Sequence, residues 1–233
     1  MNNAAFPATS DHHPLQRSRQ CLIVTTDSWN ATRGKMAIFE RDGPAKWKSR
    51  GPVMPVVLGK SGLAWGRGLL NPSLPGPVKV ERDNKAPAGV FRLNGVFGYS
   101  PRSPGTKMSY LALSKNIVAV DDPKSRSYNR LIDRTKIKMP DWQSAENMIL
   151  ADDRYKWGVI VAHNVPPKPG AGSCIFLHVW KSPTTTTTGC TAMAERDLIA
   201  IIRWLDPAKH PLLIQMPAHI YSEVRAKWRL PAL

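Results

Sequence analysis

The chain is short of cysteine, of acidic residues and of long apolar runs, and each shortage excludes something. Three cysteines in 233 residues, Cys21, Cys174 and Cys190, are too few for a disulfide framework. Their odd number leaves at least one thiol free. No Cys-x-x-Cys pair occurs, and the four-residue step from Cys174 to His178 has no Asp, Glu or His clustered near it, so no metal site is expected. No stretch approaches the roughly 18 to 20 consecutive apolar residues that a membrane-spanning helix needs. The first 20 residues hold no apolar core of an export signal.

Acidic residues number 17 against 33 Lys and Arg, a formal charge of +16. Such a surface attracts any polyanion, whether nucleic acid, anionic lipid or an acidic wall polymer. Dedicated nucleic-acid binding would call for clustered basic residues with interleaved aromatics or a known motif. Here the cations are scattered, as in Lys46, Lys48 and Arg50 and again in Arg126, Arg130 and Arg134, and no nucleic-acid partner is expected.

What is abundant is proline, 21 residues with 16 glycines, roughly twice ordinary proline usage. Long helices are excluded and short strands joined by turns are favoured. Residues 1–20 are polar and read as a flexible tail, and residues 21–233 as one domain. Strand-like runs occur at residues 21–25, 35–41, 53–58, 89–93, 116–120, 158–163, 173–180 and 212–216. The first two form an expected antiparallel hairpin. Residues 59–88 are rich in Gly and Pro and read as a long surface excursion.

Residues 141–149 fit a short helix capped by Asp141. The best helix begins at Glu195, with Leu198, Ile201, Ile202 and Leu205 on one face and Pro207 as its stop. A last helix is expected over 220–228. The sum is a mostly-β, mixed α+β domain with one main helix.

Chemistry concentrates in two adjoining segments. Alternation along Ser173-Cys174-Ile175-Phe176-Leu177-His178-Val179-Trp180 puts Ile175, Leu177 and Val179 on one face, and Cys174, Phe176, His178 and Trp180 on the other. After a threonine-rich stretch comes Gly189-Cys190-Thr191-Ala192-Met193, leading toward the main helix. A thiol near a helix start and a histidine is expected to have a lowered pKa. Gly189 permits a tight turn whose N–H groups face a developing oxyanion. Nucleophile, base and oxyanion donors from one unit are what covalent acyl transfer requires. The plainer reading makes Cys190 a small buried hydrophobe and His178 a structural histidine.

Other candidates are split between local and functional roles. Asp122, Tyr128 and Asn129 occupy a turn-like stretch suited to backbone capping or to substrate contact. His163 and Asn164 end a strand and can line a groove, as can Trp180 beside His178.

His178-Val179-Trp180 followed by Thr188-Gly189-Cys190-Thr191-Ala192-Met193 resembles the catalytic signature of the L,D-transpeptidase (YkuD-like) family. Lys85-Ala86-Pro87-Ala88-Gly89-Val90-Phe91 is similar to that family's Thr-Pro-x-Gly-x-Phe strand. Asp121-Asp122-Pro123, Ser127-Tyr128-Asn129 and the run Gly158 to Asn164 resemble its short, single-domain branch. The likeness spans roughly residues 21–216. Thr188 stands where the family usually has His, and Thr191 and Ala192 where Arg or Asn is usual.

The resemblance implies a YkuD-like β-sandwich and a peptidoglycan L,D-transpeptidase working through a Cys190 thioester. His178 would be general base and acid, held by a backbone carbonyl, with Gly189 and Cys190 N–H groups as oxyanion donors. Asp122, Tyr128, Asn129, His163, Asn164, Trp180 and Thr188 would line the substrate groove. It implies no cofactor and no metal, donor and acceptor stem peptides as partners, carbapenem-type covalent inhibitors, and a place in the cell envelope or periplasm. Two alternatives stand beside it: a thiol-dependent muropeptide hydrolase or carboxypeptidase on the same fold, and a non-catalytic basic wall-binding module.

Overall fold

A computed structural model describes residues 14–43, 45–70 and 74–233. Its strands are β1 (Gln20–Thr26), β2 (Arg33–Glu40), β3 (Lys48–Ser49), β4 (Met54–Val57), β5 (Leu63–Trp65), β6 (Ala86–Gly98) and β7 (Tyr110–Ala112). They continue as β8 (Ile117–Val120), β9 (Arg130–Asp133), β10 (Ala145–Asn147), β11 (Trp157–Val161), β12 (Phe176–Val179), β13 (Thr191–Met193) and β14 (Leu212–Pro217). The helices are α1 (Pro14–Arg17), α2 (Glu195–Trp204) and α3 (Ala218–Arg225).

The mostly-β class and the main helix after Cys190 are as expected. The sheet, expected as part of a sandwich, instead closes on itself. It runs β1-β14-β6-β11-β12-β13-β4-β2, and antiparallel pairing of β2 with β1 completes an eight-stranded barrel. Closure removes two exposed edges, which a set of short strands interrupted by proline would otherwise present. β3, β5 and β7 attach to this ring, and β10-β8-β9 forms a separate three-stranded sheet.

One hydrophobic cluster gathers Leu22, Val24, Phe91, Leu177, Val179 and Ile214 from the strands. Leu198, Ile201, Ile202 and Leu205 join it from α2 and its C-terminal end, all fully buried. The 3.6-residue apolar stripe read from the sequence is therefore the face α2 lays on β11 and β12. A second cluster, with Phe97, Ala119, Met148, Tyr155, Phe176 and Cys190, seats the small sheet against the other face of the barrel wall.

Three expectations need correction. Of the tail assigned to residues 1–20, residues 1–13 lie outside the described residues, and the remainder belongs to the body. Leu15 is buried, and Arg41 donates to the carbonyls of Leu15, Gln16 and Ser18. Residues 141–149 form a loop and β10, not a helix. Asp141, instead of capping its own segment, accepts from Ser125 Oγ (2.5 Å) and the Arg126 N–H (3.0 Å) across the loop. The 59–88 excursion folds back as β5, whose Leu63, Ala64 and Trp65 are all buried against β6.

Gly158 faces His178 across the β11–β12 ladder, and a Cβ there would lie 2.1 Å from Phe97 Cζ. Gly158→Ala should therefore displace the ring that floors the second cluster. A loss of about 1–3 kcal/mol is expected, read as a lower urea midpoint with an unchanged slope. An unmoved midpoint would mean that the Phe97 ring yields freely.

Candidate active site

Parallel pairing of β12 with β13 sets Leu177 opposite Thr191 and His178 opposite Ala192. Cys190, one residue before β13, thus falls opposite Phe176. The alternation expected along residues 175–179 is what the structure has: Ile175, Leu177 and Val179 enter the main cluster, and Phe176 and His178 take the other face. Cys190 and His178 are then two ladder steps apart on one face. With strands about 4.8 Å apart and about 3.3 Å of rise per residue, their Cα atoms lie on a diagonal of about 8 Å.

His178 is 4% exposed, and its Nδ1 lies 2.8 Å from the Val179 carbonyl oxygen. A carbonyl only accepts, so Nδ1 carries the proton and Nε2 is left with its lone pair. The Tyr155 ring meets the imidazole edge-on at 5.3 Å and also packs on Phe97 and Phe176. Burial pushes the imidazole pKa down to about 4, against the opposing pull of the Val179 carbonyl. The ring is neutral at ordinary pH.

The lowered thiol pKa expected for Cys190 is overturned. β13 intervenes between the cysteine and α2, which removes the sulfur from the helix terminus. Burial pushes the thiol up to about 12, and the Phe176 N–H at 3.3 Å offsets this only in part. The S–H is directed at the Cys174 carbonyl, 3.8 Å away. The imidazole is not among the hydrogen-bond partners of the thiol.

Gly189 occupies a backbone region open chiefly to glycine (φ +156°), and a Cβ would lie 3.3 Å from the Lys85 carbonyl. Its N–H, expected as an oxyanion donor, is taken by Thr187 Oγ1 at 3.2 Å. The same hydroxyl donates to the Cys190 carbonyl and ties the turn. Thr188 is exposed and lines a cavity of about 260 Å³ together with Gly189, Cys190, Cys174 and Tyr155. Thr191 is turned inward, bonding Gln215 at 2.7 Å in the core.

The remaining candidates are held by the protein itself. Asn129 donates to the carbonyls of His163 and Asn164 and accepts from the Cys174 N–H. Asn164 bonds Arg67, Lys168 and the Gly172 carbonyl. His163 is buried, with Nε2 3.0 Å from the Ala171 carbonyl and Nδ1 without a partner among the described residues, and burial lowers its pKa to about 4. These three side chains knot the loop before β12 and so fix where that strand begins.

Asp122 accepts from the Lys124 and Gln143 N–H groups and borders a second cavity, of about 480 Å³. Tyr128 donates to Glu81. Trp180 is half-buried, its N–H bonded to the Met193 carbonyl.

Sequence reasoning missed Tyr155, Glu146 and Lys79, and noted Asp121 only as part of a family-like segment; the fold brings all four to the thiol cavity. Tyr155 is the last residue of a 3-10 turn (Asp153–Tyr155) capped by Asp152, and its hydroxyl donates to Glu146, whose carboxyl burial raises above the usual range. None of these residues carries a local signal, because each reaches the site from a different strand or loop.

No protein-family model matches the chain, and no curated protein matches it.

Two measurements check the electrostatics. With a thiol pKa near 12, alkylation of Cys190 by iodoacetamide should rise about tenfold per pH unit from pH 6 to 9. A plateau below pH 8 would mean an activated thiolate. His163 and His178, buried neutral with pKa values near 4, bind protons in the unfolded chain first. Stability should therefore be flat in these groups above pH 6.5 and fall as pH drops from 6.5 toward 4. His178→Gln should flatten that fall in urea titrations, and an unchanged slope would place the imidazole in water.

Proposed function

We propose that the chain is a cysteine acyltransferase of the L,D-transpeptidase (YkuD-like) type, acting on peptidoglycan stem peptides in the cell envelope. One observation carries the reading: the His178 imidazole is pinned through Nδ1 to the Val179 carbonyl, with Nε2 unprotonated, on the strand face that also bears Cys190. A base held in one tautomer on the face that bears a thiol, with that thiol lining a cavity, is an arrangement suited to nucleophilic catalysis. The ordered segments that resemble that family support the finer assignment of the barrel to a YkuD-like domain.

Since the pair rests neutral, no stored thiolate attacks. A change of the Cys190 χ1 rotamer turns Sγ from the Cys174 carbonyl toward His178. As Sγ bonds to the donor carbonyl carbon, the thiol proton passes to Nε2, and the Cys190 N–H faces the oxyanion. Collapse breaks the C–N bond, and Nε2 returns the proton to the departing amine. An amine of a second stem then attacks the thioester and gives its proton to Nε2, which passes it to the departing sulfur, so that Cys190 leaves as thiol and the imidazole is again neutral. Water in place of that amine yields hydrolysis.

A second reading rests on the S–H bond to Cys174: a basic, non-catalytic wall-binding module keeps its thiol in that position. Purified protein with defined muropeptides separates the readings by mass. A cross-linked dimer supports transfer, a gain of water supports hydrolysis, and unchanged peptides support the binding module. Cys190→Ala and His178→Gln are each expected to lower turnover by at least about a thousandfold. Full activity in Cys190→Ala would end the covalent mechanism.

A further inference from the structure

Lysine is rarely buried without a reason, and Lys79 is 6% exposed. Its ammonium donates to Asp83 Oδ1 at 2.6 Å and to the Val80 carbonyl at 3.2 Å, which uses two of three donors. Asp83 is itself fixed by the N–H groups of Val80 and Lys85. Glycines clear the space around the side chain. A Cβ on Gly172 would lie 2.9 Å from Lys79 Cε, and one on Gly189 would lie 4.0 Å from Nζ. The ammonium therefore stands beside the peptide that enters Cys190.

Lys79 also forms the wall between two cavities, that of the thiol and a larger one of about 610 Å³ that Arg67 and Lys168 make basic. The thiol cavity holds carboxylates as well. Glu81 is engaged by Tyr128, Glu146 by Tyr155, and Asp121 Oδ1 is buried without a partner among the described residues. These repel an anion from the rest of the cavity, whose other cation, Arg82, is exposed and bonded to Ser144, so among its buried groups the third Lys79 donor, with the basic cavity beyond it, is where an anion can settle.

We propose that Lys79 is the carboxylate-binding residue of the Cys190 site. It holds a carboxylate of the acyl substrate at the Gly189 end of the cavity, next to the carbonyl that Sγ attacks. The proposal rests on the acyl-transfer reading for its substrate, but the charge it assigns can be read without one.

The test compares the anionic probe iodoacetate with neutral iodoacetamide on the full chain, following the Cys190 peptide by mass. The wild-type rate ratio is expected to exceed that of free cysteine by about tenfold. Lys79→Arg should keep the preference. Lys79→Met combined with Asp83→Asn, which removes the pair without stranding a charge, should abolish it. Loosening of the fold raises both rates together, so the ratio still reports the charge. Equal ratios in wild type and the double variant would overturn the assignment. Failure of muropeptide turnover with the ratio intact would count against acyl transfer alone.

Discussion

Parallel pairing of β12 with β13 is the constraint on which the site depends. It places Cys190 opposite Phe176 and keeps His178 on the same face two steps along. It also lets the Phe176 N–H point at the sulfur. A shift of one residue in this register would send either the thiol or the imidazole into the main core. The register is held from both sides. Leu177 and Val179 are committed to the main cluster, whereas Phe176 is locked by edge-on contacts to Phe97 and Tyr155. Barrel closure through β1 and β2 fixes the far side, so no strand of the ring is free to slide.

Burial then sets the chemistry. The same apolar packing that holds the two side chains in register disfavours charge on either of them, raising the thiol and lowering the imidazole. The consequence is a resting site whose imidazole is wholly in the free-base form, though a weak base, and whose thiol is un-ionised. Acyl transfer as proposed would then need the substrate to bring proton transfer and bond formation together. It also protects a free cysteine from adventitious reaction, which follows the exposed thiolate fraction.

Much of the fold was legible because it is encoded in periodicity. The stripe Leu198, Ile201, Ile202 and Leu205 marks α2, and the alternation from Ile175 to Val179 marks the two faces of β12. What failed was chemistry that depends on long-range partners. Asp141 resembles a helix cap until the loop at Ser125 and Arg126 claims its oxygens. Gly189 resembles an oxyanion donor until Thr187 takes its N–H. Cys190 resembles an activated thiol until β13 separates it from the helix terminus. The Asn129, His163 and Asn164 knot shows the same rule: Asn129 bonds the backbone of His163 and Asn164, and those two side chains bond the loop at Lys168, Ala171 and Gly172.

The central claim is that Sγ of Cys190 can be acylated with His178 as its base. Intact mass after exposure to a carbapenem tests it most directly, because the β-lactam carbonyl supplies the acyl group and its ring opening traps the thioester. The expected result is a single adduct of the whole inhibitor on the Cys190 peptide, absent in Cys190→Ala and strongly slowed in His178→Gln. Unmodified protein, or an adduct that persists in Cys190→Ala, would contradict the account.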